Sequence, residues 1–237
     1  MGSPPALLLL HGAGMDHRVW AEQLALLGDR GIVASAPDLP GHGGSEGPAL
    51  TRIAEMADWV LRLVDGIGSR EVALAGHSMG ALVALEAAGR LGSRLSGLAL
   101  IGAAAEMPVN PDLLEAASQD LPRAAKMIAA WGYGPAAQAD GRAEAGRRII
   151  EAAPPGVLAT DLAACAAYRE APAAAARISA PSLVISGSRD RMTPARRGRA
   201  LADAIAGAQF QELPEVGHMP MAEAPAELSA ALIRLLR

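Results

Sequence analysis

The segment 71–88 constrains the fold of this chain more than any other. An apolar run at 71–75 leads into the pentapeptide Gly76-His77-Ser78-Met79-Gly80, and the helical pattern of residues 81–88 follows directly. This order predicts a strand that turns sharply into a helix, with Ser78 at the turn. Gly76 and Gly80 leave the space that such a turn needs, and the N-terminus of the helix favours negative charge on a nearby substrate oxygen.

Short apolar runs and helical patterns alternate along most of the remaining chain, which is typical of a parallel sheet covered by helices on both faces. Predicted strands cover residues 6–10, 32–36, 71–75, 98–102, 182–186 and 209–213. The chain has 237 residues, which is long enough for one such domain with a large core. We therefore predict an α/β fold with a doubly wound, mostly parallel sheet of six strands.

The alternation stops at residues 106–177, where alanine-rich helical stretches separated by prolines replace it. We predict that this segment is a helical cap, or lid, inserted into a core domain formed by residues 1–105 and 178–237. A flexible low-complexity insertion is the alternative, because alanine dominates the composition. The folded cap is favoured because apolar side chains such as Leu113, Ile128 and Leu162 could give it a core.

Three residues that follow predicted strands form a candidate catalytic triad. Ser78 is a weak nucleophile by itself, so it needs a base within hydrogen-bond reach and an acid that orients this base. His218 follows the strand predicted at 209–213, and Asp190 follows the strand predicted at 182–186. The loops after parallel strands open on one edge of the sheet, where functional sites form. The chain order Ser, Asp, His is the order expected for one family of triads.

The other four histidines are weaker candidates for the base. His77 is adjacent to Ser78, but neighbouring side chains on a turn diverge. His11 and His42 lie in glycine-rich turns, where a histidine more often hydrogen-bonds to the backbone, and His17 begins a predicted helix without special context. His218 is therefore the predicted base.

With these motifs in place, the chain resembles the α/β-hydrolase superfamily over essentially its whole length. The matching motifs are His11-Gly12-Ala13-Gly14, Asp38-Leu39-Pro40-Gly41-His42-Gly43-Gly44-Ser45, Gly76-His77-Ser78-Met79-Gly80, Gly187-Ser188-Arg189-Asp190 with Pro194, and Gly217-His218. Five independent motifs in the family's order make the resemblance specific. The chain begins only five residues before its first predicted strand, so the N-terminal hairpin of many relatives is expected to be absent.

The resemblance implies a role for each site residue. Ser78 would be the nucleophile, His218 the general base and then acid, and Asp190 the residue that orients the imidazole. The backbone N–H groups of Met79 and Ala13 would form the oxyanion hole. Many relatives carry a bulky aromatic residue at the position of Ala13, so the acyl side of the pocket is expected to be more open here.

The implied reaction is acyl transfer through an acyl-enzyme. Dehalogenases and epoxide hydrolases of this fold carry an aspartate at the position of Ser78, so they are excluded. We predict a serine hydrolase that cleaves a small or medium acyl ester, with lactonase, thioesterase, carbon–carbon bond hydrolase and cofactor-free perhydrolase as alternatives that use the same triad. A ligand receptor that keeps the triad without turnover is the alternative from another functional class.

The substrate pocket is expected to have walls mostly of Leu, Met, Val and Ala, because aromatic residues make up only 3% of the chain. The residues predicted to contact the substrate are Gly12, Arg189, Trp131, Met192 and Met219. Arg189 and Arg191 flank Asp190 within a group of five arginines. This group is typical of a solvated helix face, and attraction of an anionic substrate is the alternative.

Other functions find little support in the sequence. The net charge of −4 gives no electrostatic reason to bind nucleic acid. The His and Cys residues do not have metal-ligand spacing, and Lys126 is the only lysine, which excludes a phosphate-binding P-loop. No cofactor or metal is therefore expected, and a small-molecule acyl substrate is the expected partner. The single cysteine, Cys165, and the lack of a long apolar run favour a cytoplasmic location without membrane insertion.

Overall fold

A computed structural model describes residues 6–68 and 71–237 of the chain. Its strands form one six-stranded sheet in the order β2-β1-β3-β4-β5-β6, and every neighbouring pair is parallel. The strands are β1 Ala6–Leu10, β2 Ala34–Ser35, β3 Val72–His77, β4 Leu95–Ile101, β5 Ser182–Gly187 and β6 Gln209–Leu213. The predicted fold class is confirmed. The expectation that the N-terminal hairpin is absent concerns residues 1–5, which lie outside the described residues.

The order of the strands reverses between β1 and β3, and this is where open α/β sheets form their binding crevices. The register brings the C-terminal ends of adjacent strands level, because Leu10 pairs with Gly76, His77 with Ile101, and Gly187 with Leu213. The loops that follow β1, β3, β5 and β6 therefore leave the sheet along the same edge.

Twelve α-helices accompany the sheet in the described residues. They are α1 Ala21–Gly28, α2 Ile53–Ile67, α3 Met79–Leu91, α4 Pro111–Gln119, α5 Leu121–Gly132, α6 Pro135–Ala139, α7 Arg142–Glu151, α8 Val157–Ala167, α9 Ala171–Ala175, α10 Ala195–Asp203, α11 Pro220–Glu223 and α12 Pro225–Leu235. Successive strand side chains point to opposite faces of the sheet, so the core has two parts. Leu8 and Leu74 pack with α2 and α3 on one face, whereas Leu7 and Leu9 pack with α1 and α12 on the other.

The segment predicted as a cap is helical in the structure. Helices α4 to α9 occupy it, between β4 and β5. Their apolar side chains join both parts of the core, with Leu113 and Ile128 on the face of α1 and α12, and Cys165 and Tyr168 on the face of α2 and α3. The division into a core domain and a cap stays a prediction.

Candidate active site

Ser78 lies on a strained turn between β3 and α3. Its backbone has φ 52° and ψ −115°, and residues with a side chain seldom adopt a positive φ. The Ser78 N–H donates to the Ile101 carbonyl oxygen at 2.9 Å. A Cβ atom on Gly76 would lie 2.1 Å from the Gly80 carbonyl oxygen, and one on Gly80 would lie 2.3 Å from the Leu10 carbonyl oxygen. Both glycines are therefore required by backbone contacts, as the sequence predicted.

Asp190 and His218 form a buried pair in the loops after β5 and β6. His218 Nδ1 lies 2.8 Å from Asp190 Oδ2. His218 is 1% exposed and Asp190 is 5% exposed. Asp190 Oδ2 also accepts from the Thr193 hydroxyl at 2.7 Å, and Oδ1 accepts the N–H groups of Met192 and Thr193 at 2.8 Å each.

The surroundings of Asp190 keep its carboxylate ionised. Burial by itself would raise the pKa of Asp190, but the charge and hydrogen bond of His218 and the donors of Thr193 act in the opposite direction and lower this pKa below its ordinary value. A carboxylate held in this way can fix the orientation and tautomer of the neighbouring imidazole.

Ser78 and His218 line the same cavity. Among the described residues, no hydrogen bond directly joins the side chains of Ser78 and His218. Catalytic hydrogen bonds are often long before substrate binds. The geometry therefore brings the three predicted triad residues to one site, with the Asp190–His218 contact already formed.

His77 supports His218 through the backbone. His77 Nε2 lies 2.8 Å from the His218 carbonyl oxygen. Since a carbonyl only accepts, Nε2 carries the proton and donates. Burial, followed by the charge of His218, lowers the pKa of His77 to about 3, so the ring is neutral at physiological pH. Gly12 packs against this ring, where an added Cβ would lie 2.8 Å from His77 Nδ1.

The two predicted oxyanion donors follow adjacent strands of the sheet, β1 and β3. Met79 is the first residue of α3, and Ala13 follows β1 and lines the cavity. Within the described part of the chain, no protein acceptor takes the backbone N–H of either residue. Free N–H groups at a helix N-terminus and in the facing loop are suited to bind a negatively charged oxygen.

The cavity beside Ser78 has a volume of about 380 Å³ and is lined by residues of the sheet loops and of the helical segment. Its lining comprises Ala13, Ser78, Met107, Pro108, Val109, Asn110, Leu113, Trp131, Leu162, Cys165, Arg191, Met192, Thr193 and His218. Trp131 and Met192, both predicted to contact substrate, are among them. Cys165 is buried, and burial raises the pKa of its thiol, so it is unreactive here.

Three other predicted substrate residues lie elsewhere. Arg189 forms an ion pair with Glu215 at 3.0 Å on the surface. Met219 is buried and borders a separate cavity beside Tyr133. Gly12 contacts the His77 ring, as described above. The sequence signal for these residues was their position near the predicted motifs, together with positive charge for Arg189, and neither signal shows whether a residue faces the cavity.

Some site residues were not found from the sequence. Thr193 follows Asp190 by three residues, a spacing at which an aspartate side chain often accepts a backbone N–H, as Asp190 does here, and this signal could have identified it. Asn110 and Leu162 line the cavity from the helical segment. No local pattern marks them, because their placement depends on how the helices pack on the sheet.

One group of side chains has the spacing of a metal site. Ligand atoms of Asp16, His17 and Asp38 lie within 4.8 Å of one another. Asp16 pairs with Arg18 at 2.6 Å, and Asp38 Oδ2 accepts the Gly44 N–H at 2.8 Å and contacts His17 Nδ1 at 2.9 Å. These atoms already have partners, so the group is satisfied without an ion.

Among the described helices, none has the length and apolarity needed to cross a membrane.

Comparisons with known proteins agree with this architecture. The model of the alpha/beta hydrolase family matches residues 7–231. The chain is 30% identical over 234 residues to a pimeloyl-[acyl-carrier protein] methyl ester esterase of Chromobacterium violaceum, an alignment that covers 93% of this chain and 89% of that protein.

Solved structures show the same likeness. The enol-lactonase from Burkholderia xenovorans LB400 matches with a TM-score of 0.91 and 27% identity, over 99% of this chain and 92% of that one. A thermophilic esterase from Thermogutta terrifontis, with malate bound, matches with a TM-score of 0.89 and 27% identity, over 100% and 91% of the two chains. On the match to the family model, the chain belongs to the alpha/beta hydrolase family.

Proposed function

We propose that this protein is a serine hydrolase that cleaves a carboxylic ester with a small or medium acyl group. The observation that carries the proposal is the buried contact of 2.8 Å between His218 Nδ1 and Asp190 Oδ2, behind a cavity that both His218 and the strained Ser78 line. This arrangement leaves His218 Nε2 as the ring nitrogen that can take a proton. The esterase similar to the chain over most of its length supports the same reaction class.

The reaction proceeds in two halves. His218 Nε2 removes the hydroxyl proton as Ser78 Oγ attacks the ester carbonyl carbon, and the carbonyl oxygen becomes an anion. The N–H groups of Met79 and Ala13 bind this oxyanion, and removal of one such donor typically costs about 2.7–4 kcal/mol of barrier stabilisation. The bond to the alcohol breaks, and the alcohol leaves with the proton from His218. A water molecule, activated by His218, then releases the acid and restores Ser78.

The cavity supports a substrate of limited size. Its volume of about 380 Å³ falls at the lower end of the range of about 300–1,000 Å³ for small-molecule sites. A lactone is an internal ester and would follow the same steps. The fold similarity to an enol-lactonase at 27% identity makes a lactonase the second candidate.

The charge in the cavity favours an acyl group with an anionic end. Among the described residues that line the cavity, Arg191 is the only one with a permanent charge. It is exposed, and within the described residues it takes part in no ion pair with an acidic side chain. An ester of a dicarboxylic acid with one free carboxylate would supply the missing partner.

The proposed function is tested with p-nitrophenyl esters from acetate to decanoate, using the wild-type protein and Ser78→Ala. We expect the wild type to hydrolyse them with a maximum at one chain length, and the variant to lose nearly all turnover, by roughly a million-fold in kcat as in other triads. Turnover near the wild-type level in Ser78→Ala contradicts the proposal. Binding of esters without turnover by the wild type would favour a receptor.

A further inference from the structure

A buried ion pair connects the helical segment to two loops at the C-terminal edge of the sheet. Asp161, in α8, is 0% exposed, and His42, in the loop after β2, is 1% exposed. Asp161 Oδ2 lies 2.8 Å from His42 Nε2, and it accepts the Gly14 backbone N–H at 2.8 Å. Asp161 and Gly14 are 147 positions apart, so this contact exists only when α8 is seated on the sheet.

The hydrogen bonds of His42 define its charge. Nδ1 lies 3.1 Å from the Pro40 carbonyl oxygen, and Nε2 faces the Asp161 carboxylate. Neither partner can donate, so both ring nitrogens carry protons and His42 is an imidazolium. Burial lowers its pKa, but the hydrogen bond and charge of Asp161 outweigh burial and raise this pKa above the ordinary value. The His11 ring, with its centroid 4.8 Å away, has a pKa lowered to about 4 by burial and then by the charge of His42, so it stays neutral.

The carboxylate of Asp161 acts on the backbone next to the proposed oxyanion hole. Gly14 directly follows Ala13, and its φ of +64° belongs to the left-handed region. The backbone of Gly14 also touches Leu158, since an added Cβ would lie 2.8 Å from Leu158 Cδ1. Leu158 and Asp161 are three residues apart on α8, and Leu162 of the same helix lines the cavity. One helix therefore contacts both the substrate cavity and the loop that carries Ala13.

From these contacts we propose that Asp161 is a positioning residue. With His42 it fixes the Gly14 N–H, and it thereby holds the preceding Gly12–Ala13 peptide in the orientation in which the Ala13 N–H binds the oxyanion. The proposal rests on the proposed serine hydrolase function. It makes the oxyanion hole complete only when α8 is seated, because the acceptor for Gly14 comes from that helix. If the Asp161–His42 ion pair had only a structural role, it would be buried in the same way, but its loss would not slow the chemical step.

Three variants test this role, each measured on the preferred ester of the p-nitrophenyl series. Asp161→Ala removes both the acceptor and the charge, so kcat is expected to fall by at least about tenfold. For comparison, complete loss of one oxyanion donor lowers kcat by roughly 10²–10³-fold. KM should change by less than about threefold, since the ester is bound mainly by the cavity. Asp161→Asn keeps an oxygen for Gly14 and should recover part of kcat. His42→Gln removes the cation and should resemble Asp161→Asn.

Tyr168→Phe is the matched control. It removes a buried hydrogen bond of 2.6 Å from the Tyr168 hydroxyl to Glu86 Oε2, which joins the helical segment to α3 without contact with the Ala13 loop. Thermal unfolding is recorded for all variants, and stability is expected to fall in both Tyr168→Phe and Asp161→Ala. Of these two variants, only Asp161→Ala should lose kcat.

Hydrogen exchange of residues 11–15 separates this inference from the proposed function. Exchange in that segment should rise in Asp161→Ala and stay at the wild-type rate in Tyr168→Phe. Unchanged exchange in Asp161→Ala overturns the positioning role whether or not the protein is a hydrolase. Raised exchange with wild-type kcat overturns the link to the oxyanion hole. If the wild type is inactive on every ester but exchange still rises in Asp161→Ala, the proposed hydrolase function is contradicted. The role of Asp161 in holding the loop is then supported by itself.

Discussion

At the scale of single residues, the two arginines that flank Asp190 have different surroundings. Arg189 pairs with Glu215 on the surface, with an N···O distance of 3.0 Å. Arg191 lines the cavity of Ser78 and has no acidic partner within the part of the chain that the structure describes. The two side chains are equal in charge and close in sequence. Substituting each of them in turn therefore distinguishes a contact with the substrate from a general effect of positive charge.

We predict that Arg191→Gln raises KM for the half-ester of a dicarboxylic acid by about tenfold, because a charge-assisted hydrogen bond contributes roughly 1.5–3 kcal/mol. KM for a neutral ester of the same length should change little. Arg189→Gln, measured in parallel on both esters, should match the wild type. Equal effects of the two variants on the half-ester would contradict a substrate contact by Arg191.

At the scale of elements, the turn between β3 and α3 is fitted to the end of β1. Gly80 is in the first turn of α3, where its Cα faces the Leu10 carbonyl oxygen at the end of β1. A backbone atom cannot rotate away from an added methyl group as a side chain can. The close approach therefore keeps Ser78 against the loop of Ala13, and it depends on the absence of a side chain at position 80.

Gly80→Ala is predicted to lower the free energy of unfolding by about 1–3 kcal/mol, the usual cost of overpacking. Gly66→Ala is the control. At that position of α2, an added Cβ would have no atom within 4 Å from the described residues outside its own stretch of helix. Alanine there should raise the free energy of unfolding by roughly 0.5–1 kcal/mol, through its better helix propensity. Urea unfolding measures both changes, and a stable Gly80→Ala would show that the contact can relax.

The elements of the sheet could be predicted from the sequence because their signals are local. The predicted bounds 6–10 and 209–213 match β1 and β6, and the strand predicted at 71–75 continues to His77. The strand predicted at 32–36 is only Ala34–Ser35 in the structure. This strand lies at the edge and pairs with β1 alone, so its length depends on one neighbour rather than on its own residues.

The site could be predicted only in part, for the same physical reason. Ser78, Asp190 and His218 each follow a strand, so the topology of the sheet brings them together. Asp161 gave no signal, because its contacts with Gly14 and His42 span 147 and 119 positions. Contacts of that kind depend on how α8 packs over the sheet, which no local pattern records.

At the scale of the whole molecule, buried histidines make stability depend on pH. His11 and His77 are both 0% exposed, and burial lowers their pKa values from 6.5 to about 4 and about 3. The unfolded chain therefore binds more protons than the folded one below pH 6.5, and stability falls as pH falls through that window. His42 has the opposite sign, since its raised pKa adds stability that is complete below pH 6.5 and lost as pH rises through its folded pKa.

We predict that the free energy of unfolding is greatest near neutral pH and is lower at about pH 5. Each buried neutral histidine contributes a loss of about 2 kcal/mol at that pH, from about 1.4 kcal/mol per pH unit. Urea unfolding at the two pH values measures the loss, and His11→Gln should remove about half of it. A loss of the same size in His11→Gln and the wild type would assign the pH dependence to other groups.

Covalent labelling of the nucleophile tests whether Ser78 is the activated serine of a triad. The protein is treated with a fluorophosphonate, which reacts with activated serines, and the adduct is located by mass spectrometry of peptides. We expect one adduct, on Ser78, its absence in Ser78→Ala, and loss of ester hydrolysis in proportion to labelling. An adduct on another residue, or ester hydrolysis that survives complete labelling of Ser78, would contradict this role of Ser78.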